Sequence, residues 1–131
     1  MLYLIPQPKT LKEENKYISA RTVHIVTEIS DERIQKAVQK LPLSDSGIAL
    51  ELRENGLNGE AYTLAITQDK ITLTADGAAG LFYGIQTLRQ VFTHEKIPCL
   101  YIEDMPDFGY RGFYHDVTRG KVPKAETLKK L

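Results

Sequence analysis

An α+β fold is predicted, with a mixed, largely antiparallel sheet and two helices packed on one of its faces. Three observations predict it. Apolar and polar residues alternate in "GIALELREN", "AYTLAITQD" and "KITLTAD", the pattern of strands with one core face and one solvated face. Two other stretches, "DERIQKAVQKL" and "GLFYGIQTLRQVF", carry apolar side chains at helical spacing. Hairpins are interleaved with these helices, instead of one helix following every strand.

Taken in order, Pro6 and Pro8 make the opening extended. "TLKEENKYISA" reads as a strand, a polar turn and a short strand. "TVHIVTEI" is β-branched and alternates Val23 and Ile25 with polar neighbours, so it is a further strand. Ser30 is placed to cap a helix from Asp31 to about Leu41. Ile34, Ala37, Val38 and Leu41 share one face of it, and Pro42 ends it. Ile48, Leu50 and Leu52 mark the next strand, Tyr62, Leu64 and Ile66 another, and Ile71 and Leu73 a third. Only "QDK" separates the last two, which predicts a tight hairpin.

The second helix places Leu81, Phe82, Ile85, Leu88 and Phe92 at helical spacing, with Gly80 and Gly84 one turn apart. An interior glycine costs ~1 kcal/mol relative to alanine, so the pair implies a helix backbone pressed close to the sheet. Gln86, Thr87, Arg89 and Gln90 fall mostly on the outer face, whereas Tyr62, Tyr83 and Tyr101 sit in core-type patterns. "IPCLYIED" is a last strand and "MPDFG" a turn.

Composition narrows the function classes. Lys plus Arg and Asp plus Glu both total 17, so the charge is balanced and no basic stripe for nucleic acid is expected. The one cysteine, Cys99, lies in an apolar run; it rules out an internal disulfide and a cysteine-based zinc cluster, and is expected buried. No apolar run approaches the ~20 residues of a membrane helix, and "MLYLIPQPK" lacks the basic start of a signal peptide. As given, the chain is expected in the cytoplasm, or outside the cell if a leader was removed. His24, His94 and His115 show no metal-ligand spacing, and neither metal nor cofactor is expected.

Two segments carry a resemblance. "AYTLAITQDKITLTADGAAGLFYGIQTLRQV" followed by "IPCLYIEDMPDFGYRGFYHDVTR" resembles the N-terminal region of family 20 glycoside hydrolases, the β-N-acetylhexosaminidases. The opening "LIPQPKTL" is similar to the usual start of that region, so the resemblance spans nearly the whole chain. It implies a zincin-like accessory domain over residues 1–107, and over 108–131 the beginning of a catalytic (β/α)8 barrel, also called a TIM barrel. Tyr110 to Val117 would be the first barrel strand, and "KAETLKKL" the first turns of its helix, with Leu128 and Leu131 toward the barrel. A whole barrel needs about 250 residues, so the chain would be a fragment without a complete active site and without activity of its own. The partner it implies is the missing barrel of the same chain. The surface left bare gives reason to expect a homodimer there.

The same resemblance implies a substrate, glycans ending in β-linked N-acetylhexosamine, hydrolysed with the substrate's own acetamido oxygen as nucleophile. The arginine of an Asp-x-x-Arg motif then binds sugar hydroxyls, and here it is Arg119, whose planar fork can span two oxygens. Asp116 is implied as its support. Gly120 and Lys121 depart from the family's usual Arg-His-aromatic continuation, and the loop after Arg119 is about one residue longer. The family's catalytic Asp-Glu pair is not assigned: Asp31-Glu32, the one such dipeptide, opens the first helix, where the macrodipole favours carboxylates. Glu103-Asp104 has the reverse order and is expected to be scaffolding. Arg111 is expected in an ion pair. Two alternatives stay open. One is the accessory domain of a related glycosidase, of the O-GlcNAc hydrolase or α-glucuronidase type. The other is a freestanding carbohydrate- or protein-binding module, which would need exposed aromatic rings.

Overall fold

The computed structural model describes residues 2–114, 116, 118, 120 and 122–130. The described elements run β1 (Thr10–Ile18), β2 (Val23–Ile25), α1 (Glu32–Val38), β3 (Ile48–Glu54), β4 (Tyr62–Ile66), β5 (Lys70–Ala75), α2 (Ala78–Val91), β6 (Ile97–Asp104) and α3 (Ala125–Leu128). Six strands form one sheet in the order β1-β6-β4-β5-β3-β2. The pairs β1–β6, β6–β4 and β4–β5 are antiparallel, and β5–β3 and β3–β2 are parallel. The parallel pair β2–β3 is bridged by the crossover helix α1, whereas β3 and β5 are connected through β4, which pairs with β5 on its far side; α2 then carries the chain from β5 across β4 to β6.

Register explains the core. Leu11, Ile102, Leu64, Leu73 and Leu52 are ladder partners in succession across β1, β6, β4, β5 and β3. Partners in a ladder project to the same face, so one row of aliphatic side chains crosses five strands under α2. Leu64, Leu73 and Ile102 are fully buried. Each such side chain contributes roughly 1.5–3 kcal/mol by leaving water. The opposite face carries Thr63, Ala65, Thr72 and Thr74, all half-buried.

The glycines of α2 do what their spacing implied. A Cβ on Gly80 would stand 2.5 Å from the Ala61 carbonyl oxygen, and one on Gly84 would stand 2.3 Å from a methyl of the buried Leu73. The helix therefore rests directly on β4 and β5, with Leu81, Ile85, Leu88 and Val91 driven into the sheet. Phe82 and Tyr83, one step around the helix, stay partly exposed and meet edge to face at 5.9 Å. The core placement expected for Tyr83 and Tyr101 is thus corrected, because both rings lie on the solvated sides of their elements; Tyr62 alone of the three is buried.

Three boundaries differ from expectation, each for a local reason. β1 is one nine-residue strand, not two, because the polar stretch is absorbed by an irregularity between Glu13 and Tyr17 on an edge strand open to water. β2 stops at Ile25, and beyond it the Leu52 N–H is taken by the Thr27 hydroxyl at 2.9 Å in place of a ladder carbonyl. The cap of α1 is Asp31, not Ser30; its carboxylate accepts from the backbone N–H of Arg33 at 2.8 Å and of Ile34 at 3.4 Å. The helix ends at Val38, and Lys40 and Leu41 continue it as a tighter turn bonded to the carbonyls of Ala37 and Val38.

Candidate functional site

The surface that collects polar side chains is the outer side of α2, where both ends of the domain are tied down. A groove of about 410 Å³ runs there between α2, residues 5–9 and the segment after β6. Gln90 clasps the N-terminal segment with its whole amide: its oxygen accepts from the Ile5 N–H at 2.8 Å and its Nε2 donates to the Ile5 carbonyl at 2.7 Å. Tyr62 reaches the groove from the core, its hydroxyl 2.6 Å from the Thr87 hydroxyl. Desolvation pushes the Tyr62 phenol above its ordinary pKa, so it stays neutral and able to donate.

The segment after β6 is held at two points. Near its start, Asp104 Oδ1 accepts from the Lys9 and Met105 backbone N–H groups at 3.2 and 3.0 Å, and Lys9 Nζ pairs with Asp107 at 2.5 Å. At its far end Arg111 turns back to the domain. Both of its Nη atoms reach the Glu60 carboxylate, and Nη1 also donates to the Phe108 carbonyl. Tyr83 completes the cluster by donating its hydroxyl to Glu60 at 3.2 Å. The Arg111 guanidinium is the main reason that the Glu60 carboxyl is held below its ordinary pKa. The expected ion pair of Arg111 is therefore present, with a partner from the β3–β4 loop.

The residues implied for substrate binding are not assembled into a site here. Arg119 lies outside the described residues. Asp116 is exposed, and its Oδ1 accepts from the N–H and hydroxyl of Thr118 at 2.8 and 2.6 Å, which lowers its pKa. Residues 110–114 form no strand, so the barrel strand expected over 110–117 is not seen among the described residues. The two acidic dipeptides are accounted for structurally. Asp31 caps α1. Glu103 accepts the Tyr101 hydroxyl at 2.6 Å, and Asp104 holds the chain ends as above. Cys99 is buried, and desolvation raises its thiol pKa.

Sequence reasoning missed Glu60, Gln90 and Arg21. The Arg21 guanidinium donates to the carbonyls of His94 at 2.8 Å, Glu95 at 3.1 Å and Phe92 at 3.3 Å, closing the end of α2. All three act on partners far away in the chain, and no local pattern announces them.

Comparison with known proteins decides the family. The model of glycosyl hydrolase family 20, domain 2, matches residues 1–105. The chain belongs to that family. A beta-hexosaminidase of Akkermansia muciniphila is 38% identical over 78 residues, which cover 56% of this chain and 16% of that protein. Beta-hexosaminidase B of Pseudoalteromonas piscicida is 26% identical over 98% of this chain and 18% of its own length. The family 20 chain thus spans less than a fifth of these relatives. Among solved structures, a β-N-acetylhexosaminidase from Bacteroides fragilis matches with a TM-score of 0.70 at 23% identity, over 97% of this chain and 29% of the other. A protein named CpGH84D matches with a TM-score of 0.78 at 20% identity, over 100% of this chain and 28% of the other. Likeness at these identities shows the α+β fold alone.

Proposed function

We propose that this family 20 domain is the N-terminal, non-catalytic part of a β-N-acetylhexosaminidase. Its work is to seat and stabilise a catalytic barrel that begins near residue 108. The observation that supports this reading is the match of the domain 2 model over residues 1–105, joined to relatives that are named beta-hexosaminidases and are several times longer. The structure is consistent with a supporting role. The leucine, isoleucine and valine side chains of β3 to β6 and α2 go into a closed core, and the carboxylates named above are engaged in capping, ion pairing and hydrogen bonds to backbone and hydroxyl groups.

In the longer protein, Arg119 would bind hydroxyls of the terminal sugar, Asp116 would hold it in place, and the acid and the acetamido-orienting carboxylate would come from the barrel. The test compares two proteins with a chromogenic β-N-acetylglucosaminide. The 131-residue chain is expected to release no product above background, and the protein extended to a full barrel length is expected to turn it over. In that longer protein Arg119→Ala should lower kcat/KM at least about a hundredfold, because it leaves substrate hydroxyls without their partner. Turnover by the short chain, or none by the long one, would sink the reading.

A further inference from the structure

We propose that Glu60 and Tyr83 form a receptor for the Arg111 guanidinium that fixes the direction in which the chain leaves the domain. Glu60 is then a positioning residue for whatever follows Arg111. After Asp104 the ladder with β1 and β4 is finished, so the backbone of 105–111 has no strand partner to set its path. Its course is set by side chains. Lys9 and Asp104 hold the beginning, and Arg111 holds the end. The Arg111 fork takes both oxygens of Glu60 and, at the same time, the carbonyl of Phe108. It therefore closes a turn within its own segment and fastens that turn to the domain.

The receptor stands on firm ground. Tyr83 projects from α2, whose backbone is pressed on the sheet, and Glu60 stands two residues before β4. The residues on either side of Arg111 contribute no such hold. Tyr110 is fully exposed and Phe113 is 77% exposed, and a Cβ on Gly109 or Gly112 would meet nothing. Those glycines are not demanded by packing. They leave the backbone on both sides of Arg111 free to turn, so the guanidinium decides the direction. A lysine could supply the charge but not the fork that engages two oxygens and a carbonyl together.

The experiment is limited chymotrypsin digestion of the 131-residue chain, followed by mass spectrometry. Four aromatic residues with exposed side chains serve as reporters: Phe108 and Tyr110 lie inside the fastened segment, Phe113 and Tyr114 beyond it. Cleavage tracks the population of the opened segment. In the parent chain, cuts after Phe108 and Tyr110 should be slower than cuts after Phe113 and Tyr114. Glu60→Gln should speed the first pair about fivefold and leave the second pair unchanged. Tyr83→Phe should act in the same direction by less. If Glu60→Gln does not fold, Arg111→Gln on the free side of the contact should give the same selective acceleration.

Equal rates at all four sites in parent and variant would overturn the proposal. So would an acceleration matched by new cuts after the buried Tyr62, since that is global opening. No substrate enters the measurement, so its failure leaves the reading of the domain as a glycosidase support untouched. Loss of that reading leaves this result standing.

Discussion

Residues up to Asp104 and residues beyond it have similar shares of apolar side chains and opposite fates. In the first region Leu64, Leu73, Ile85 and Ile102 are fully buried within one core cluster that draws on α1, α2 and all the strands. In the second, Phe108, Tyr110, Phe113 and Tyr114 are 71–100% exposed, and the last helix is a single four-residue turn without a buried residue. The difference teaches that an apolar pattern becomes structure only when the chain also supplies the surface it packs against. "YRGFYHDV" has the composition of a strand, yet its described residues form none, because no ladder partner for it lies among the described residues.

The comparison is broken most directly by deleting one side chain from each region. Leu73→Ala removes the member of the aliphatic row that lies against Gly84 of α2 and should destabilise the domain by roughly 2–5 kcal/mol. Phe108→Ala should change stability by no more than about 0.5 kcal/mol. Urea unfolding followed by far-ultraviolet circular dichroism reads both. Comparable losses would mean that the exit segment is part of the cooperative core. Next in size is Gly80→Ala, whose new methyl would stand 2.5 Å from the Ala61 carbonyl and 2.9 Å from the Ala75 Cβ. Overpacking of this kind costs about 1–3 kcal/mol, against a gain of up to ~1 kcal/mol in helix propensity. A net loss is expected, and a stabilised variant would show that α2 lies further from the sheet than the structure has it.

Within the first region, how much was legible depended on how local the cause was. The strands from Ile48 to Ala75 and the helix from Ala78 could be read because burial on one face leaves a period in the sequence. The glycine spacing in α2 could be read as close approach because glycine has few other reasons to interrupt a helix. The parallel pairing of β3 with β5 could not be read, since nothing local in β3 says which strand lies beside it. The same holds for the polar ties. Glu60 meets Arg111 across 51 positions and Gln90 meets Ile5 across 85. The implied binding residue Arg119 was legible only through a family motif, and the geometry that would test it lies outside the described residues.

A smaller effect sharpens the point about distant ties. Arg21 reaches three carbonyls at the end of α2. Arg21→Ala should cost about 1 kcal/mol, the net worth of hydrogen bonds that water partly replaces. Arg21→Lys should recover little of it, because an ammonium cannot serve three divergent carbonyls as a fork does. Full recovery by lysine in urea unfolding would show that charge alone closes the helix.

The smallest expected effect concerns the Asp31 cap, and its sign follows from the hydrogen bonds. The carboxylate accepts from Arg33 and Ile34, and its pKa is lowered below the ordinary value, chiefly by the Arg33 side chain. A lowered folded pKa means that the unfolded chain binds the proton more readily. The cap therefore contributes fully above the unfolded value of about 3.9, and its contribution fades as pH falls through the folded one. Glu51 and Glu60 are shifted the same way and add to the slope of the parent protein, so the comparison must remove Asp31 alone. Asp31→Asn keeps an acceptor at the cap and loses the titration. The difference in urea midpoint between parent and variant should be constant above about pH 5 and shrink below about pH 4. A difference that stays constant down to pH 2 would show that the cap works as a neutral acceptor, with its charge contributing nothing to the start of α1.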